Sequence, residues 1–187
     1  MPTLVVIGMQ WGDEAKGTTV DVLSRTADVC VRCNGGPNAG HKVMFDGETY
    51  VHHVIPAGVH NPNATCLIAD GVVIDPKKLI DELDGLEKRG VSLANLRISQ
   101  AAHVIMPYHK TLERAEESML GGGKIGTTQR GIGPCYADKA KRWSAIRMGD
   151  LLHFDQLRKK LPSIVPYYNK VLTCVYGAEP VDLSTLM

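Results

Sequence analysis

Absences narrow the reading of this sequence first. It holds no apolar run approaching the roughly 18–20 residues that cross a bilayer, so no transmembrane helix is expected. It has no surplus of one charge: 21 Lys and Arg stand against 20 Asp and Glu, for a net charge of +1. Electrostatically driven binding to nucleic acid is therefore not the expected role, and neither is a membrane partner. No basic leader precedes the first apolar run, so no secretory signal is expected and the cytoplasm is the default location. There is no internal repeat and no low-complexity tail. Only one Cys-x-x-Cys spacing occurs, Cys30 to Cys33, and the lack of a second pair argues against a zinc knuckle. In an extended segment those two side chains would face opposite sides of a sheet. Reduced thiols are the expectation for these two and for Cys66, Cys135 and Cys174. What remains, 187 residues with 44% hydrophobic and 22% charged side chains, is the profile of a globular protein of one domain or somewhat more.

The most informative stretch that is present is Gly8-Met9-Gln10-Trp11-Gly12-Asp13-Glu14-Ala15-Lys16-Gly17-Thr18. It follows Leu4-Val5-Val6-Ile7, which reads as a buried parallel strand. It leads into a short helix with Val20, Leu23 and Val22 as its apolar face. A strand, a glycine-rich turn and a helix start offer unpaired backbone N–H groups to an anion. Gly8, Gly12 and Gly17 permit close approach of a phosphate, and Lys16 brings a mobile positive charge. The spacing is not a Walker A sequence, because Lys16 precedes its glycine. Asp13 and Glu14 are anomalous in such a loop unless they hold a metal ion or accept a proton. Asp13 can alternatively cap the following helix.

The rest of the chain alternates strands and helices. Residues 28–33 read as a strand, and Asn34-Gly35-Gly36-Pro37-Asn38-Ala39-Gly40-His41 as a second glycine-rich loop. Asp46-Gly47 between residues 42–45 and 48–52 signals a hairpin. Strands are expected at 64–69, 72–74, 96–99 and 102–105. A helix is expected from Pro76, capped by Asp75, carrying Leu79, Ile80, Leu83 and Leu86 and ending at Gly90. Residues 107–119 read as a mostly solvated helix bearing Lys110, Glu113, Arg114, Glu116 and Glu117. A third irregular loop spans 124–134, a short helix 137–141, and a break falls at Met148-Gly149-Asp150. Residues 154–176 read as helical, interrupted near Pro162 and Pro166. Trp11, Trp143 and the histidines other than His41 read as structural.

This alternation predicts an α/β fold: a P-loop-like, mixed but largely parallel sheet flanked by helices, with a β-hairpin insertion. Ligands in such folds sit at the carboxyl ends of the strands, so the three loops 12–18, 35–41 and 126–134 are expected to line one cleft. Lys16, Asn38, Thr127, Thr128 and Arg130 suit phosphate or a polar heterocycle. Asp13 and His41 form a candidate acid/base pair.

Four ordered motifs go further: Gln10-Trp11-Gly12-Asp13-Glu14-x-Lys16-Gly17, Gly35-Gly36-x-Asn38-Ala39-Gly40-His41, Gly71-Val72-Val73-Ile74-Asp75-Pro76, and Ile125-Gly126-Thr127-Thr128-x-Arg130-Gly131-Ile132-Gly133-Pro134. Together they resemble the adenylosuccinate synthetase family, ligases that join L-aspartate to inosine monophosphate (IMP) with hydrolysis of GTP. The resemblance implies that Asp13 is the base that removes the purine N1 proton, and that His41 is the acid. It implies GTP contacts at Gly12, Asp13, Glu14, Ala15, Lys16, Gly17 and Thr18. It places IMP beside Asp13, Glu14, Ala15, Lys16, Asn38, Ala39, Gly40 and His41, with Thr128 at the 5′-phosphate. Asp13 and the Gly40 carbonyl would hold Mg2+. Arg142 would reach the nucleotide of a neighbouring subunit, which implies a homodimer.

Departures from the family pattern are Ala15 and Gln129 where glycine is usual, Thr18 for lysine, Pro37 for asparagine, and altered residues after Arg142. They leave the nucleotide sites tuned or weakened, and alanine at position 15 would strain the loop if a positive φ is needed there. Family members are longer, and the later portion supplies the aspartate loop, part of the IMP site and the guanine segment. The expectation is thus the N-terminal portion, apparently truncated, with motifs inside residues 3–152 and a helical, unassigned stretch from 153 to 187. Alternatives are a non-catalytic purine-nucleotide-binding fragment and a related ligase acting on another purine monophosphate.

Overall fold

Alternating β-branched segments and amphipathic helices produce the expected layering. The computed structural model describes residues 2–10, 12, 14–182 and 184. Helix α1 (Lys16–Ser24) leads into β1 (Val29–Arg32), and the hairpin β2 (His41–Phe45) and β3 (Glu48–His52) follows. Then come β4 (Thr65–Ile68), β5 (Val73–Ile74), α2 (Pro76–Lys88), β6 (Leu96–Ile98) and β7 (His103–Val104). Four helices complete the chain: α3 (Pro107–Leu120), α4 (Ile132–Lys141), α5 (Met148–Leu151) and α6 (Phe154–Tyr176).

Strands β1, β4 and β6 form a parallel sheet in that order, with Val29 opposite Thr65 and Cys66 opposite Leu96. A second parallel ladder pairs β5 with β7. The bridge between Gly35 and Val72 continues the first ladder toward the second. The hairpin is antiparallel, its turn made by Asp46 (φ 49°) and Gly47 (φ 78°) as the Asp-Gly signal requires. Gly71 cannot be enlarged, because a Cβ there would run into the Cys33 carbonyl oxygen. One core cluster lies under the sheet around Val54, Ile55, Cys66, Ile68, Ile74 and Leu79. Another joins α3 to α6 through Tyr108, Leu112, Leu161, Ile164, Tyr168 and Leu172. The mixed, largely parallel α/β architecture is as expected.

Several local expectations are corrected. Leu4 to Ile7 form no strand; the run pairs with no described strand, and Leu4, Val5 and Ile7 stand about 70% exposed. On α1 the buried positions are Gly17, Asp21 and Ser24, while Val22 and Leu23 face solvent and Val20 packs on the core. Ile80 of α2 is exposed, so Leu79 and Leu86 carry its burial. Asp75 makes no side-chain cap; it accepts from Lys110 Nζ at 2.6 Å instead. Residues 148–151 are a helical turn, not a break. The last helix runs unbroken through both prolines. Each proline costs a helix about 3 kcal/mol, but six buried side chains from Leu157 to Leu172 return roughly 1.5–3 kcal/mol apiece. Packing wins. Trp143, 52% exposed, packs edge-on against Tyr167. Trp11 lies outside the described residues. All five cysteines are free, with Cys30 buried and Cys33 exposed as the strand geometry predicts.

Candidate functional site

The first loop enters α1 through Ala15, whose backbone is left-handed (φ 58°, ψ 30°). A non-glycine residue pays for that conformation, so the strain expected at this position is present. Gly17 follows, and a Cβ on it would lie 2.8 Å from His41 Cβ; only glycine lets the helix start press against the beginning of β2. Thr18 Oγ1 reinforces the contact by donating to the Lys42 carbonyl at 3.1 Å. Glu14 accepts from Lys16 Nζ and from the Gln10 N–H. The Lys16 hydrogen bond is the main cause that holds the Glu14 carboxyl down at about 2. One of the two anomalous carboxylates is thus accounted for by the loop's own cation. Asp13 lies outside the described residues.

The second loop is held from three directions. Arg32 Nη2 donates to the Gly36 carbonyl at 3.0 Å. Tyr136 of α4 accepts from the Gly35 N–H at 3.0 Å and donates to the Gly71 carbonyl at 2.8 Å. His53 Nδ1 donates to the Ala39 carbonyl at 2.9 Å. His53 is itself placed by Glu82 of α2, which accepts the N–H groups of His53, Val54 and Ile55. Asn38, Ala39 and Gly40 are left exposed, and His41 is half-buried at the start of β2. Burial, then the nearby charges of Arg32 and Lys16, lower the His41 imidazole below its ordinary value. At neutral pH the ring is uncharged and can donate a hydrogen bond while it awaits a negative group.

The third loop closes the cluster. Arg130 donates to the Pro37 carbonyl, which ties this loop directly to the second. It ends earlier than its sequence suggested, because Ile132, Gly133 and Pro134 already belong to α4. Gln129 adopts φ 55°, and Gly126 and Gly131 adopt φ 77°. Thr128 is exposed. Gly131 cannot take a side chain, since its Cβ would sit 2.9 Å from both His109 Cβ and the Lys110 nitrogen.

Two contacts join the loops among the described residues: α1 packs on β2 through Gly17 and His41, and Arg130 meets Pro37. Arg142 does not join them. It caps the end of α4 (φ 69°), eleven residues after Gly131 and hence about 16 Å along the helix. Sequence reasoning missed the supporting residues Arg32, Tyr136, Glu113 and Glu117. The last two were read as solvated but are 6% and 4% exposed. The signal for them was the spacing His109, Glu113, Glu117, one helical face at i, i+4, i+8.

Among the described residues no group of three His, Cys, Asp or Glu could hold a metal ion. The donor types expected here, one carboxylate and a backbone carbonyl, suit magnesium, which is commonly held by one or two protein oxygens plus substrate phosphates. A cavity of about 490 Å³ lined by Phe45, Tyr50, His60, Arg89 and Asn95 lies apart and contains none of the expected site residues. Among the described residues no helix is long and apolar enough to cross a membrane.

Comparison with known proteins follows the same residues. The sequence model of one family, described as adenylosuccinate synthetase, matches residues 5–187. The chain is 48% identical over 184 residues to an adenylosuccinate synthetase of Bifidobacterium longum, covering 98% of this chain and 43% of that protein. It is 49% identical over 187 residues to the one of Halothermothrix orenii, covering 44% of it. The chain thus spans less than half the length of the curated relatives it matches. Among solved structures, the fully ligated adenylosuccinate synthetase from Plasmodium falciparum superposes with a TM-score of 0.79 at 34% identity, over 95% of this chain and 41% of that one. The cyanophage S-2L succinoaminodeoxyadenylate synthetase, bound to dGMP and to dATP as an energy donor, gives 0.58 at 29% identity, over 77% and 40%.

Proposed function

The chain belongs to the adenylosuccinate synthetase family, and from that premise we propose that it forms the phosphate-handling portion of a GTP-dependent ligase joining L-aspartate to IMP. The observation that carries this reading is the packing of three loops into one ridge, Gly17 on His41 and Arg130 on Pro37. Each loop brings a different group to a common edge. Residues Gly12 to Thr18 take the GTP phosphates through backbone N–H groups and Lys16. Asn38, Ala39, Gly40 and His41 border the purine, and Thr128 takes the 5′-phosphate of IMP.

In the proposed reaction Asp13 removes the proton from N1 of the purine, and electron density moves onto O6. O6 attacks the γ-phosphorus of GTP as the bond from that phosphorus to the β,γ-bridging oxygen breaks, and GDP leaves. His41, uncharged before substrates arrive, donates a hydrogen bond toward the transferring phosphoryl group and the leaving oxygen. The amino group of aspartate then adds at C6, the C6–O6 bond breaks, and phosphate leaves with O6 and the proton shed by the nitrogen. Magnesium, held by Asp13 and the Gly40 carbonyl, would neutralise phosphate charge. Glu14, tied down by Lys16, releases that cation when a triphosphate competes for it. Arg142, remote from its own loops, is the residue proposed to serve a neighbouring copy in a homodimer. A cytoplasmic location accords with this chemistry.

A second reading, a ligase for another purine monophosphate, draws on the cyanophage neighbour. The higher identity to the synthetases favours IMP. The test compares IMP, GMP and dGMP as partners for GTP-dependent phosphate release in the presence of aspartate. Asp13→Asn should abolish that release while GTP still binds; full activity in this variant would remove Asp13 from the chemistry. Preference for dGMP would replace the first reading by the second.

A further inference from the structure

We propose that Glu113 and Glu117 are positioning residues that set the third loop for its monophosphate, an inference that rests on the function proposed above. Both carboxylates lie on one face of α3, one turn apart, and both are buried. Buried carboxylates are costly unless something satisfies them. No Lys or Arg among the described residues pairs with either one. Their partners are the amides of the loop itself. Glu113 Oε2 accepts from the Gly131 N–H at 2.6 Å. Glu117 accepts from the Gly126 N–H through Oε2 at 3.2 Å and from the Thr127 N–H through Oε1 at 3.4 Å.

These bonds have a directional consequence. Gly131 is the N-cap of α4, so Glu113 already occupies the helix N-terminus, where a free anion would otherwise settle. The amides of Gly126 and Thr127 are likewise turned to Glu117. The bonded amides lie on the α3 side of the loop, and the exposed Thr128 between them is left for the incoming phosphate. The Arg130 contact with Pro37 then fixes the loop's distance from the purine-bordering residues.

The two carboxylates differ in a way that makes the idea testable. Glu113 uses one oxygen, so Glu113→Gln can turn its amide oxygen to Gly131 and keep the bond. Glu117 uses both oxygens, so Glu117→Gln must aim an NH2 group at a backbone N–H. Binding of IMP and, separately, of GTP with magnesium would be measured by calorimetry on the 187-residue chain and its variants. Amide hydrogen exchange at residues 126–131 would be followed in parallel. Glu117→Gln should weaken IMP about tenfold or more with GTP affinity unchanged, and should speed exchange at Gly126 and Thr127. Glu113→Ala, which removes the acceptor of the Gly131 N–H, should weaken IMP and speed exchange at Gly131, and Glu113→Gln, which keeps it, should restore both; no change in Glu113→Ala would remove Glu113 from the role. Equal weakening of both ligands by Glu117→Gln, or unchanged exchange, would overturn the inference. Failure of the parent chain to bind IMP would instead count against an IMP site within these residues and not against the carboxylates' hold on the loop, which exchange at Gly126 and Thr127 alone would then decide.

Discussion

Replacing Asp138 by Asn should destabilise the protein far more than a change of one atom type suggests. The carboxylate is 1% exposed and binds three elements together. One oxygen accepts from His109 Nε2 of α3 at 2.9 Å. The other accepts from Ser144 Oγ at 2.8 Å and from the Tyr168 hydroxyl of α6. His109 cannot reverse its role, because its Nδ1 already accepts the Met106 N–H at 3.0 Å. Burial alone would raise the Asp138 carboxyl, but the hydrogen bonds from His109 and Tyr168 outweigh it and hold it below the ordinary value. The group is therefore ionised at neutral pH, and each donor makes a charge-assisted bond. Such bonds contribute about 1.5–3 kcal/mol each. Asparagine keeps one acceptor and turns an NH2 group against buried donors, so the loss should reach about 3–5 kcal/mol. In a domain of this size that lowers the melting temperature by roughly 6–20 °C. Urea unfolding at pH 7, followed by far-UV circular dichroism, measures it directly. Tyr168→Phe should cost about 1.5–3 kcal/mol alone but little when added to Asp138→Asn. A loss below about 1 kcal/mol for Asp138→Asn, or simple additivity of the two changes, would refute the reasoning.

Two further outcomes are expected. Burial first, then the His52 ring and Arg89, hold the His60 imidazole down at about 4. The unfolded imidazole takes a proton near pH 6.5 and the folded one does not until about pH 4, so acid favours the unfolded chain in that window. Stability should therefore fall by on the order of 2 kcal/mol between pH 6.5 and 4, and His60→Gln should flatten that slope in a urea series; an unchanged slope excludes His60 as its source. Ala15→Gly and Gln129→Gly should each relieve a left-handed backbone costing about 1–2 kcal/mol, offset by about 0.4–1 kcal/mol of added unfolded-state entropy. A net gain of up to about 1 kcal/mol per site is expected, and a clear loss by denaturation would show that the loops are not strained there.

Much of the fold could be read from local chemistry. Asp46-Gly47 specified the hairpin turn, and Pro76 with the Leu79 to Leu86 spacing specified α2. The three loops were legible because glycines mark where backbones approach closely, as at Gly17 and Gly131. What was not legible depends on partners distant in the chain. Leu4 to Ile7 carries every local mark of a buried strand, yet a strand exists only where another edge pairs with it. Pro162 and Pro166 argued for a broken helix, and only the packing of Tyr168 and its neighbours on α3 decides otherwise. Glu113 and Glu117 looked like a solvated helix face, since nothing nearby in sequence reveals that a loop's amides fold back over them. Asp75 illustrates the same limit, for a good capping residue was claimed by Lys110.

The parallel ladders also set an order of assembly. Val29 meets Thr65, Cys66 meets Leu96 and Val73 meets His103, so each pairing closes a segment of roughly thirty residues or more before any contact is gained. The hairpin needs only the two residues of its turn and can zip on its own. Residues 34–40 run from the end of β1 into that hairpin, with one flank fixed early and the other late. On the way to the native state this loop is thus the seam where a quick local event joins a slow global one, and its order arrives only when the distant strands do.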